Sequence, residues 1–283
     1  MSAPVPAGTA RLSAETLLAA LPLARSGRVF DLGTELATGM PVGSPEAFGG
    51  FRITPYRTPH CIAHPDEAPA FDFSMDLIQG SPHVGSHFDA PAHIQVHGRV
   101  FGGHRAADVY GDFGWQANGI ETVPPVLTRG LLLDVPGLLG VERLQDGFEV
   151  TVEHVQSCLE RQQVEVREGD AVLVRTGKMA DYHGDGSLYF DAGPGVGVDA
   201  ALWLHDRGIA ILGSDTSATE PFPFPDAERT VHRAMLVERG VYLVEILRLD
   251  ELAQAQAYEF LFVCLPLKFR GGTGSWVRPV AVV

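Results

Sequence analysis

Six near-continuous apolar runs of strand length recur along the chain: "RVFDLG" (28–33), "RGLLLDV" (129–135), "DAVLVRTG" (170–177), "GIAILGSD" (208–215), "GVYLVEIL" (240–247) and "EFLFVCLPLKF" (259–269). Their polar positions do not alternate with apolar ones, which predicts strands covered on both faces. Between them lie helical periodicities: "TVEHVQSCLERQQ" behind a Thr151 cap, "VDAALWLHDRG" ending at Gly208, and "AERTVHRAMLVERG" ending at Gly240. Strands and helices that alternate in this way predict an α/β fold. Residues 34–128 break the pattern, because Gly, Pro and short polar pieces interrupt every apolar run and only "FRITPYRT" and "FSMDLIQ" read as strands. Such a stretch predicts loops that carry function.

The first 27 residues, with Ser13 as a cap before "AETLLAAL", read as a helical N-terminal extension packing on the body or on a partner subunit. Residues 28–283 then form one domain, since no repeat and no linker-like segment divides them. That length supports a sizeable core. The three cysteines, Cys61, Cys158 and Cys264, are odd in number and far apart, which argues against a disulfide framework and for a reducing compartment. No stretch approaches the roughly 18 apolar residues of a membrane span, and the N-terminus lacks a basic start followed by an apolar run. A cytoplasmic protein is expected. A net charge of -14 repels phosphate backbones and anionic membranes, leaving small molecules as the expected partners.

Chemistry concentrates in "SPHVGSHFDAPAHIQVHG" (81–98), which holds four of the 11 histidines. From 83 to 93 the special residues occupy odd positions, His83, Gly85, His87, Asp89, Pro91 and His93, and the even ones are small or apolar. Extended chain would place the three histidines and the aspartate on one face, whereas a helix would be broken at Pro91. A straight strand still separates the alpha carbons of His83 and His87 by roughly 13 Å, too far for shared ligation of one ion. A bend is therefore predicted at Gly85, which tolerates backbone angles closed to other residues. Imidazole and carboxylate donors suit Zn, Mn or Fe.

Other residues could complete such a site. Glu245 lies inside the apolar "VYLVEIL", where it is either a buried functional carboxylate or an outward-facing residue of an edge strand. Asp215 ends "IAILGSD", where α/β sheets hold ligands, although a turn or capping role fits as well. His232 sits in a helical pattern and is open to a structural role, and His97 and His104 are candidates for an outer or gating position or for plain loop residues. The aromatic group Phe48, Phe51, Tyr56, Phe71 and Phe73 could line a site for a flat ring or simply form core. His87-x-Asp89 with distant His232 also has the form of a non-haem iron facial triad, though that leaves His83 and His93 without a purpose. No nucleophile elbow, P-loop or dinucleotide glycine motif is present.

The segment "HVGSHFDAPAH" resembles the H-x-G-T-H-x-D-x-P-x-H signature of the family known as "Putative cyclase", with Ser86 in the Thr position. That family includes bacterial kynurenine formamidases, isatin hydrolase and a trans-dienelactone hydrolase. The similarity extends through "GDAVLVRTG", "GIAILGSDT" and "YEFLFVCLPLKFRGGTGSWVRPVAV" to cover roughly residues 50–283. It implies a single α/β domain of swivelling β/β/α type, with a mixed sheet and flanking helices, assembled as a homodimer or homotetramer. It further implies that His83, His87 and Asp89 bind a divalent metal, Zn(II) or Mn(II), and that His93 is the catalytic acid/base. In formamidase-like members a second ion shares the aspartate and takes residues corresponding to His232 and Glu245, whose separation is slightly longer here; isatin hydrolase-like members use one manganese. The implied activity is hydrolysis of a lactone, lactam, imide or aryl formamide by metal-activated water, with His93 moving the proton. The competing readings are a polyketide-type cyclase on the same site, a non-haem iron oxygenase, and a binding protein without turnover.

Overall fold

The computed structural model describes residues 5–44, 49–59, 70–183 and 186–283. Each of the six apolar runs is a strand. In chain order the strands used below are β1 (Val29–Asp31), β2 (Phe51–Arg57), β3 (Met75–Gly80), β4 (His87–Asp89), β5 (Val126–Asp134), β6 (Ala171–Arg175), β7 (Ile211–Ser214), β8 (Tyr242–Glu245), β9 (Glu259–Cys264), β10 (Gly274–Trp276) and β11 (Val280–Val282). Nine of them make one mixed sheet in the order β1-β11-β9-β5-β6-β7-β8-β4-β10. The centre, β5 to β8, is parallel, and the strands on either side of it run antiparallel. β2 and β3 pair apart from it as a hairpin.

Successive residues of the central strands enter different cores, which is why their sequences read as unbroken apolar runs. Leu131, Leu133, Val172, Val174, Leu212 and Leu243 pack with Val155, Cys158, Ala200 and Leu204 of the helices Val152–Gln162 and Val198–His205. Leu132, Leu173, Ile211 and Val244 instead join Phe88, Phe260 and Phe262 on the opposite face. Both layers exclude water, the arrangement that parallel strands require.

Near the N-terminus, helices span Ala7–Arg11 and Ala14–Ala20, the second opened by a capping box in which Ser13 and Thr16 satisfy each other's backbone N–H groups. Arg11 donates to the Ile209 carbonyl at 2.7 Å, tying this region to the body. The helix expected over 227–240 is shorter than its sequence pattern: it is helical only from Val231, and Arg233–Arg239 is wound as a π-helix ending at Gly240, whose φ is 67°. Periodicity cannot separate the α and π windings, and the polar start "AERT" lacks the apolar contacts that would hold another turn. Cys158 and Cys264 are free, buried thiols, and Cys61 lies outside the described residues. Among the described residues no helix is long and apolar enough to cross a membrane.

Candidate metal centre

Sheet register brings the first donors together. β4 lies between β8 and β10, with His87 directly opposite Glu245 and Asp89 opposite Leu243. Because alternate residues share a face, His87, Asp89 and Glu245 all point to the side that carries the π-helix. Glu245 is therefore a buried residue of an interior strand, not an outward-facing residue of an edge. Only His87–Asp89 is extended chain. Before it, Gly85 at φ 61° turns His83 back toward Asp89, the bend that the spacing of the two histidines requires. After it, Pro91–His93 forms a 3-10 turn that returns His93 over the group. Gly274 leaves room for this packing, since a side-chain carbon there would lie 2.7 Å from the His83 ring.

Ser86, at the position of the Thr in the motif, is buried between segments: its hydroxyl donates to the Ile246 carbonyl at 2.6 Å and accepts from Thr34 N at 2.8 Å. The hydroxyl makes the contacts, so Ser serves where Thr would. Ile246 itself holds φ 58°, an uncommon conformation for a β-branched residue and one that packing must enforce. Gly85→Ala is expected to lower stability by about 1–2 kcal/mol from its positive φ alone, and more from a methyl placed 2.4 Å from Leu36. A thermal melt checks this, and an unchanged midpoint contradicts it.

Four contacts between donor atoms fall at one spacing. His87 Nε2 is 3.5 Å from both Asp89 Oδ1 and Glu245 Oε2, while His232 Nε2 is 3.6 Å from Asp89 Oδ2 and 3.5 Å from Glu245 Oε1. These distances are too long for hydrogen bonds. They match two ligands placed about 2.1 Å from one ion at a tetrahedral angle, which lie about 3.4 Å apart. Asp89 is completely buried, yet its Oδ2 finds no hydrogen-bond partner among the described residues. A native interior rarely leaves such an atom unsatisfied, and a cation between the donors would satisfy it. The residues fit a divalent metal. Each carboxylate turns one oxygen toward His87 and the other toward His232, so the donor set has room for one ion or two.

The ring nitrogens that face away from this group are held from behind. His87 Nδ1 donates to the Gly85 carbonyl at 2.8 Å, and His232 Nδ1 donates to Glu220 Oε2 at 2.7 Å, so both rings turn Nε2 inward. Thr219 donates its N–H and hydroxyl to Glu245 Oε1 at 2.7 and 2.8 Å. His83 lies 2.8 Å from Asp89 Oδ1 through Nδ1 and 2.8 Å from the Thr273 hydroxyl through Nε2. A hydroxyl can donate or accept, so Thr273 supports either tautomer of that ring. Glu220→Ala is expected to weaken divalent-metal affinity by about 10- to 100-fold, with Glu220→Gln recovering part of the loss because its amide oxygen still accepts from His232. Equilibrium dialysis against Mn(II) measures both, and equal affinities for the wild type and Glu220→Ala would contradict this orienting role.

Charge crowding points the same way. Burial opposes ionisation of Asp89, but the imidazoles of His93, His87, His232 and His83 outweigh it and hold the carboxyl well below the ordinary range. Burial, reinforced by the Asp89 charge, pushes the Glu245 carboxyl up, and the His232 ring opposes that shift. Burial also disfavours the charged His232 ring, yet Glu220 and Glu245 hold it well above its usual value. In His87 and His93 burial prevails and lowers the rings to about 4 and about 3. Carboxylates this close repel one another, and a cation relieves that repulsion.

His93 stacks on His83 with ring centroids 3.8 Å apart, and one of its nitrogens lies within 4.8 Å of donor atoms of His83 and Asp89. Asp215 is placed elsewhere. It accepts from Thr176 N and Oγ1 and from Gly177 N at 2.7–2.8 Å and thus anchors the loop after β6, while burial raises its carboxyl to about 6. His97 is exposed, with Glu228 3.6 Å away, and makes no contact with the donors. Of the aromatic group, Phe51 packs on Trp276 while Tyr56, Phe71 and Phe73 are exposed, and Phe48 lies outside the described residues. The cavity that opens onto the donors, about 780 Å³, takes its aromatic lining from Phe190, Phe222 and Phe224 instead. Glu220, Thr219 and Thr273 are missed by sequence reasoning. Glu220, an acid beside a proline just beyond β7, carried the one usable signal.

The family model described as "Putative cyclase" matches residues 30–221. A kynurenine formamidase from Paracidovorax citrulli (strain AAC00-1) is 27% identical over 253 residues, covering 89% of this chain and 95% of its own. A crystal structure of a novel cyclase superposes with a TM-score of 0.89 at 27% identity, over 98% of this chain and 94% of its own. Isatin hydrolase A from Labrenzia aggregata, bound to benzyl benzoate, is similar with a TM-score of 0.68 at 25% identity, over 96% of this chain and 99% of its own.

Proposed function

Since the chain belongs to the putative cyclase family, we propose that it is a metal-dependent hydrolase that opens a cyclic amide or cleaves an N-acyl amide of an aromatic substrate. The observation that carries this reading is the buried Asp89, whose Oδ2 finds no hydrogen-bond partner among the described residues and lies 3.6 Å from His232, which with His83, His87 and Glu245 lines a cavity large enough for a ring. When bound, a divalent ion such as Zn(II) or Mn(II) supplies a Lewis acid for a carbonyl and a water acidified toward neutrality.

The chain's own groups do the rest. Asp89 and Glu245 hold negative charge where that ion sits, and Glu220 and the Gly85 carbonyl fix the rings of His232 and His87. His93 faces the cavity beside the donors, the position from which a ring can take a proton from water and return it to the leaving nitrogen. Amides are favoured over esters because the kynurenine formamidase and isatin hydrolase relatives are named for amide substrates. The same reading includes self-association, supported by Tyr56, Leu77 and Ile78, which the β2–β3 hairpin exposes.

The test is proton release by metal-stripped protein, resupplied with Zn(II) or Mn(II), on aryl formamides, lactams, imides and lactones. Turnover is expected only with metal and fastest on the amides. Silence with metal tightly bound would move the reading to carbon–carbon cyclisation or binding, and oxygen consumption with Fe(II) would move it to an oxygenase.

A further inference from the structure

One wall of the cavity is built from two segments held in fixed relation. Phe190 and Asp191 end the helix Gly186–Asp191, and Phe222 and Phe224 belong to the chain that follows β7. Gly193 N donates to the Phe222 carbonyl at 2.9 Å, and Phe222 N donates back to Gly193 at 3.0 Å. Phe222 and Phe224 meet edge to face at 5.3 Å, and Phe190 meets the buried Tyr189 at 4.9 Å. This preset apolar wall suits a flat ring.

Apart from the histidines and the metal that they would hold, the charged groups of the lining are carboxylates. Asp191, Glu220 and Glu245 contribute them, and no Lys or Arg lines the cavity among the described residues. The sequence outside the described residues contains no Lys or Arg either. Glu220 and Glu245 face His232, whereas Asp191 is exposed at the aromatic wall. A substrate carboxylate brought to this wall would lose water without gaining the guanidinium or ammonium partner that such groups need. It would also meet the charge of Asp191, so rejection comes from an unpaired like charge.

We propose that this cavity selects aromatic amides whose ring bears no anionic group, and that Asp191 determines that selectivity by repelling carboxylates and favouring ammonium substituents. The proposal rests on the hydrolase reading for its scissile amide. Amides of α-amino acids, with their free carboxylate, fit poorly, and neutral or amine-bearing ring lactams and anilides fit well.

Binding rather than turnover tests it. Oxindole, 5-aminomethyl-oxindole and 5-carboxymethyl-oxindole are titrated into Mn(II)-loaded wild type and Asp191→Asn by calorimetry. For the wild type, the carboxymethyl compound is expected to bind at least about tenfold more weakly than oxindole, and the aminomethyl compound more tightly than it. Asp191→Asn should bring the amine to within about twofold of oxindole and shrink the carboxylate penalty several-fold. Equal binding of all three, an unchanged ratio in Asp191→Asn, or no binding of any overturns the proposal. Failure of metal-dependent proton release would instead overturn the hydrolase reading and leave the binding order standing.

Discussion

Asp89→Asn is expected to lower affinity for Mn(II) or Zn(II) by more than about 100-fold, beyond what losing an outer hydrogen-bond partner costs, and to abolish metal-dependent turnover. The residue is fully buried, with Oδ1 facing His83 and His87 and Oδ2 facing His232. Asn keeps the shape but removes the charge that a divalent ion needs, and it offers an N–H₂ donor to nitrogens that must present lone pairs. The metal-free variant should nevertheless fold. The surrounding imidazoles hold the Asp89 carboxyl well below the ordinary range and His83 contacts its Oδ1 at 2.8 Å, so the charge stabilises the folded apoprotein and the variant's metal-free form should melt below the wild-type apoprotein near neutral pH. Metal content after dialysis and the melt of each form separate the two effects. A variant that retained the wild-type metal content would remove Asp89 from the ligand set.

The sequence makes some of this legible and hides the rest for physical reasons. Strands such as β5 and β7 are readable because both faces are buried and their central positions, 131–133 and 211–212, are apolar without a break. The helix at Val152–Gln162 is readable because Thr151 caps it and its buried positions recur with helical period. His83, His87, Asp89 and His93 lie within eleven residues, so local geometry alone predicts their convergence and the bend at Gly85. Glu220 and Thr273 carry no such signal. Glu220 meets His232 across twelve residues, and Thr273 meets His83 across 190, so the sheet topology and not the chain spacing makes them neighbours. Asp215 shows the converse: its position at a strand end marks it as a site residue, yet the backbone donors of Thr176 and Gly177 use its charge first. Exposed Phe71 and Phe73 likewise suggest a pocket to a linear reading, while Phe222 and Phe224, over 140 residues further on, build its wall.

His93→Ala is expected to keep the metal and lose turnover by about 10²- to 10⁴-fold, the usual contribution of a positioned acid/base. The ring stacks on His83 but holds neither of that residue's polar contacts, which go to Asp89 and Thr273. Truncation should therefore leave the donors in place. A readout independent of catalysis comes from acid stability. Burial lowers His93 to about 3 in the folded state, below its ordinary 6.5, so the unfolded chain binds more protons between these values. Stability of the apoprotein thus falls as pH drops from 6.5 toward 4, and His93→Ala should fall less steeply because one buried neutral imidazole is gone. Three measurements then discriminate. Intact metal content with lost turnover and a shallower acid limb assigns His93 to proton transfer. Loss of an equivalent of metal makes it a ligand instead, as its closeness to His83 and Asp89 also permits. Wild-type turnover on every amide would leave the proton to be moved by another group, and among the donors that face the cavity no other imidazole has a nitrogen to spare, since the second nitrogens of His83, His87 and His232 are held by Thr273, Gly85 and Glu220.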